Sequence, residues 1–152
     1  MNELKVKKEL YDLCQKYVDE KIKNASDAIE NAQKSANEET KSSVGDKYET
    51  GRSMLQMERN KFEIQLKESL LLKEFLDQIN VGSVNEKVIP GSVVITENAN
   101  YFIAINSGKQ QIDGKTYFTI SLASPVGKIL SGKTEGDQMN FNGKSFKIVK
   151  IY

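Results

Sequence analysis

Two carboxylates three residues apart, Asp46 and Glu49, are the groups of this chain best placed to do chemistry; they sit in the segment Ser42-Ser43-Val44-Gly45-Asp46-Lys47-Tyr48-Glu49. On a helix, positions i and i+3 share a face. Paired hard oxygen donors suit Mg²⁺, which keeps several waters and takes one or two protein carboxylates when other ligands complete its shell. Lent to a partner's active site, such a pair would help hold a metal and orient an attacking water. The same residues have a structural use. Ser43, Gly45 and Asp46 are turn and helix-start types, and Asp46-x-x-Glu49 has the spacing of a capping box. On residue types alone the two readings stand level. Nearby, Tyr48 either stacks on a base or closes a turn, and Arg52 either meets a phosphate or is a solvated charge. Arg59 and Lys61 would continue a basic strip, broken by intervening acids.

Acid–base or metal chemistry must rest mainly on carboxylates because the 152 residues include no histidine. That excludes His-based triads, His general bases and His metal ligands. The single Cys14 cannot form an internal disulfide, and its place on an apolar helix face marks it as a small buried hydrophobe. The N-terminus has no apolar signal region, and no apolar run approaches membrane-spanning length. A reduced cytoplasmic protein without membrane contact is expected. Residues 1–80 carry 14 Lys/Arg and 16 Asp/Glu, net −2, and residues 81–152 carry 8 and 5, net +3. Neither half has the strongly basic footprint of a sequence-specific DNA binder.

The elements that would position the carboxylates follow from a change of character near Asn80. Between Asn2 and Ile79 there is no proline and hardly a glycine. Val18, Ile22, Ala25, Ile29, Ala32 and Ala36 alternate steps of four and three, the seam of a coiled coil. Leu55, Phe62, Ser69 and Leu76 repeat every seven residues, flanked by Leu66, Leu72 and Ile79. Two helices of about 35 residues, each on the order of 50 Å long, joined by a short link, are antiparallel neighbours. Their broad apolar bases, including Leu10, Leu13, Leu72 and Leu76, should be buried beside the following domain. The alanines leave the far end slender. The expected domains are 1–80, a hairpin with an acidic tip near 42–50, and 81–152, a β domain.

Strands are expected at 92–96, 101–106, 115–122 and 144–151, with hairpin turns at Asp113-Gly114 and Asn142-Gly143. Between them, Ser124 suits an N-cap, Pro125 the first helical position and Gly132 the residue after the helix, so one short helix belongs there.

At this point the sequence resembles the bacterial Gre transcript-cleavage factors. Their C-terminal domain carries a stretch of the form SP(I/V)GKxLxGKxxGD, and residues 124–137 read SPVGKILSGKTEGD. At the hairpin turn, cleavage-competent members have GDxxENAEY, where this chain has Gly45-Asp46-Lys47-Tyr48-Glu49-Thr50-Gly51-Arg52-Ser53. The resemblance implies an α+β fold: an N-terminal antiparallel coiled-coil hairpin, then a small FKBP-like antiparallel β domain with one short helix. It implies a monomeric, non-enzymatic elongation factor that binds RNA polymerase and reaches into its secondary channel. There Asp46 and Glu49 would share Mg²⁺ with the polymerase and promote cleavage of backtracked RNA, touching the nascent 3′ end only indirectly. Tyr48 and Arg52 would be tip contacts, and Ser124, Pro125, Lys128, Lys133 and Asp137 would belong to the docking segment.

One departure from the family pattern keeps another reading open. Asn-Ala-Glu-Tyr is replaced by Thr50-Gly51-Arg52-Ser53, which admits a channel-binding regulator that promotes no cleavage. A coiled-coil adaptor or homodimer whose β domain takes a peptide is the alternative from another class. An FKBP-like prolyl isomerase is disfavoured, because the aromatics available to line a proline pocket are few, Tyr101, Phe102, Tyr117, Phe118, Phe141 and Phe146, and several of them are needed for the core.

Overall fold

A computed structural model of the chain describes residues 2–41 and 45–152, with side chains described for 2–38 and 51–152. Two helices come first, α1 (Glu3–Lys41) and α2 (Gly45–Asp77). The helix α1 is described to Lys41 and α2 from Gly45; the turn expected at Ser42-Ser43-Val44 lies outside the described residues. Asn2 caps α1, its Oδ1 accepting from the Leu4 N–H at 2.9 Å.

The chain packs as two compact units, Val18–Glu74, and Met1–Tyr17 together with Phe75–Tyr152. Within the first, α1 turns Val18, Ala25 and Ala32 inward and fully covers them, with Ile22, Ile29 and Ala36 half-buried between. The facing side of α2 half-buries Leu55, Phe62, Leu66 and Leu72 and buries Ser69, whose hydroxyl bonds back to the Gln65 carbonyl at 2.9 Å. Polar pairs set the register. Arg59 Nη1 donates to Gln33 Oε1 at 2.5 Å, and Lys73 Nζ pairs with Asp19 Oδ1 at 2.8 Å. Gln33 stands fourteen residues beyond Asp19, and Lys73 fourteen beyond Arg59. The two antiparallel helices therefore advance by the same two heptads between locks.

In the second unit, the first turns of α1 and the last residues of α2 belong with the sheet. Val6, Leu10, Cys14 and Leu76 are buried there, while Leu13 is half-buried. Tyr11 donates its hydroxyl to the Leu76 carbonyl at 2.9 Å, satisfying an acceptor that the end of α2 would otherwise leave open. Gln15 Nε2 donates to the Tyr11 oxygen and to Asp77.

The sheet is built from β1 (Val93–Thr96), β2 (Asn100–Ile103), β3 (Gly108–Ile112), β4 (Lys115–Ile120), β5 (Gln138–Phe141) and β6 (Lys144–Ile151), with α3 (Pro125–Leu130) between β4 and β5. Strand order is β3-β4-β2-β1-β6-β5. The sequence reading expects an antiparallel β domain, and four of the five neighbouring pairs are antiparallel, but β2 and β4 run parallel. The reason is topological: β3 leaves the end of β2, and the tight turn at Asp113-Gly114 sends β4 back into the gap beside β2. Asp113 (φ 55) and Gly114 (φ 79), like Asn142 (φ 52) and Gly143 (φ 77), take the left-handed conformations of a two-residue hairpin. Residues 108–112 and 138–141, opposite the strands expected from sequence, complete both hairpins. One face carries a core of Val88, Val94, Ile103, Leu130, Met139, Phe146, Ile148 and Ile151, with Val126 and Ile129 of α3 packed on it.

Candidate functional site

The acidic pair falls at the start of α2. Since the helix opens at Gly45, Asp46 stands inside its first turn, and the Asp46-x-x-Glu49 spacing does not fall on the N-cap and third positions that a capping box needs. The backbone does place positions 46 and 49 on one helical face, and a carboxylate in the first turn faces the positive end of the helix dipole. The side chains of Asp46, Tyr48 and Glu49 lie outside the described residues. Arg52 is exposed on the next turn. The donor set fits Mg²⁺ chemically, being two hard carboxylates, but fills at most part of an octahedral shell. Among the described residues no group of three or more acidic or thiol side chains could hold a metal ion.

Arg59 does not continue a basic strip. It turns into the helical seam, where it meets Gln33 and pairs with Glu63 at 3.1 Å. Lys61 alone of that pair stays exposed.

The segment 124–137 is a folded motif in which most fixed positions have a mechanical duty. Ser124 Oγ accepts from Gly127 N at 3.1 Å and donates to the Ser121 carbonyl at 2.7 Å, so it caps α3 and ties it to the preceding turn. Pro125 fills the first helical position, where its missing N–H costs nothing. Gly127 cannot be anything larger: a Cβ there would lie 2.0 Å from the Ser121 carbonyl oxygen. After α3, Gly132 (φ 73) donates to Val88 O and Val88 donates to Lys133 O. Asp137 Oδ2 accepts from the Thr134 N–H at 2.8 Å and closes the following turn. Of the five candidate docking residues, then, Ser124, Pro125 and Asp137 are engaged in holding the segment. The side chains of Lys128 and Lys133 are exposed and carry no such duty, although the Lys133 backbone does.

Sequence reasoning missed two polar groups in the sheet unit. Glu135 Oε1 accepts from the Ile151 N–H at 3.0 Å, tying the segment to β6. Lys7 is fully buried, its Nζ donating to the Ser83 carbonyl at 2.7 Å, and burial pulls its pKa down to about 8. No pattern announces it, since it stands among Lys5 and Lys8 in a charged first turn. Cys14 lies 3.8 Å from the Ser107 hydroxyl, and burial pushes its thiol up to about 11. A protonated, covered thiol is no nucleophile. Phe102, Tyr117 and Phe146 are buried, so half of the aromatics that a proline pocket would draw on are core residues.

Among the described residues, no helix is long and apolar enough to cross a membrane. No protein-family model and no curated protein sequence matches the chain. Among solved structures, the chain is similar to that of the transcription factor Gfh1, at 20% identity over 93% of this chain and 92% of that one, with a TM-score of 0.35.

Proposed function

We propose that this chain is a Gre-like transcription factor that binds RNA polymerase and presents the start of α2 to the polymerase's secondary channel. The observation that carries the reading is the fourteen-residue segment 124–137. Its match to the Gre signature includes both the residues that build the motif and the two lysines, Lys128 and Lys133, that the motif leaves exposed. A helical hairpin whose second helix opens on Asp46 and Glu49 precedes it in the order that the resemblance implies. The chain acts as an accessory and not as an enzyme. Asp46 and Glu49 would hold Mg²⁺ jointly with the polymerase, which supplies the remaining ligands; the ion would stabilise charge during hydrolysis of backtracked RNA.

The test is RNA cleavage on a stalled elongation complex, with polymerase binding measured alongside. Asp46→Asn with Glu49→Gln should abolish stimulated cleavage and leave binding nearly intact, because each change keeps size and an oxygen acceptor but removes the charge that holds a hard cation. Cleavage that survives the double substitution removes these carboxylates from the mechanism. The replacement of Asn-Ala-Glu-Tyr by Thr50-Gly51-Arg52-Ser53 favours a second reading, a channel-binding regulator without cleavage. Binding by the unmodified chain with no stimulated cleavage would select it.

A further inference from the structure

The outer side of α2 carries an apolar line that the hairpin does not use. Met57, Ile64 and Leu71 recur every seven residues at 72%, 60% and 56% exposure. Ile64 follows the inward-facing Phe62 by two residues, about 200° round the helix, so this line is nearly opposite the internal seam. Between the three apolar residues stand Lys61 and Glu68, both exposed, giving the order Met57, Lys61, Ile64, Glu68, Leu71 in steps of four and three. An open hollow on this face is lined by Met57, Lys61, Ile64 and Glu68, together with Asn60 and Gln65.

That order is complementary to its own reverse. Laid antiparallel on a second α2, Met57 meets Leu71, Lys61 meets Glu68, and Ile64 meets Ile64, after which the same pairs repeat in mirror order. At a rise of about 1.5 Å per residue the apolar layers coincide and the charged layers fall within about 2 Å of level. Self-complementarity of one patch is what a two-fold interface requires. We infer that the outer face of α2 pairs antiparallel with α2 of a second copy of this chain, with Lys61 and Glu68 setting the register. The stripe is about 20 Å long and one side chain wide, well short of the roughly 800 Å² per partner of a stable interface. Pairing is therefore weak and concentration-dependent, so it departs from the monomer expected at sequence level without requiring a permanent dimer. It rests on the hairpin's own surface and is independent of the polymerase reading.

The test is sedimentation velocity of the full chain from micromolar to millimolar concentration, with far-UV circular dichroism to confirm an unchanged helical content. The unmodified chain should shift toward twice its mass as concentration rises. Lys61→Glu alone sets Glu against Glu68 and should hold the chain at monomer mass, as should Glu68→Lys alone. The double exchange, Lys61→Glu with Glu68→Lys, reverses both partners and should restore association. A chain that stays monomeric throughout overturns the inference and leaves this face to a different protein. Association that ignores the single reversals, or that the double exchange fails to rescue, overturns it too.

Discussion

Lys7 and Gly127 show how single residues govern the sheet unit. The folded Lys7 ammonium titrates at about 8, below the roughly 10.4 of an exposed lysine. Between those values the unfolded chain binds more protons, so this group makes stability rise with pH. Relative to Lys7→Met, which has nothing to titrate, the unmodified chain should gain stability as pH is raised from 8 toward 10. Urea unfolding of both chains at several pH values checks this, and a constant difference would mean that Lys7 is not desolvated. Tyr152 and Cys14 shift upward through burial and oppose the trend, but they are common to both chains and cancel. Gly127→Ala asks a steric question. With 2.0 Å between the new Cβ and the Ser121 oxygen, the turn before α3 must move, at a cost of about 1–3 kcal/mol. A variant within about 0.5 kcal/mol of the parent, the range of changes that touch nothing important, would show that the turn yields freely.

At the scale of elements, the seam of the hairpin separates slippery from indexed contacts. Alanines at 25 and 32 pack equally well against several partners, whereas Arg59–Gln33 and Lys73–Asp19 are satisfied in one register. A double-mutant cycle on Arg59→Ala and Gln33→Ala should return a coupling of about 0.5–1.5 kcal/mol, read from chemical unfolding; strict additivity would mean that the contact does not set the register. This layer of the fold was legible in sequence because heptads announce a buried face through many residues at once. The helix at 125–130 was legible for another reason: Ser124, Pro125 and Gly132 are chemically demanding positions at a helix's ends. The edge strand β3 was not, since Gly108-Lys109-Gln110-Gln111 is polar throughout, as suits an edge that must not recruit another strand. Acids interrupt any basic strip through Arg59 in sequence, and in space Arg59 is half-buried against Gln33 and Glu63. The candidate site was legible as a spacing of carboxylates, but spacing alone did not separate a cap from a ligand pair; the start of α2 at Gly45 argues against the cap.

For the whole molecule, compactness does not follow chain order. Residues 1–17 fold with residues 75–152, across 57 intervening residues that form the other unit. A fragment of residues 85–152 would lack Val6, Leu10, Cys14 and Leu76 and would leave part of its apolar surface uncovered. It should bind a hydrophobic dye and lose the sharp thermal transition of the full chain. A fragment that melts as cooperatively and as high as the parent would show that the helix ends are ornament. Polymerase binding is therefore best probed in the full chain. Under the proposed function, Lys128→Glu with Lys133→Glu should weaken polymerase affinity on the order of tenfold, about 1.4 kcal/mol, while the melting temperature stays put, since neither ammonium holds the fold. Unchanged affinity would move the docking surface elsewhere.

Cys14 offers a different kind of consequence. It is the chain's one thiol, fully covered and held protonated to about 11. Maleimides and disulfide reagents should leave the native protein untouched and react with it only once denaturant opens the sheet unit. A cysteine installed at exposed Ser53 would then be the sole reactive handle on the folded chain, without deleting the native one. A fluorophore or photocrosslinker could be seated there against a silent background, and its quenching or its adducts would report which surfaces the start of α2 visits.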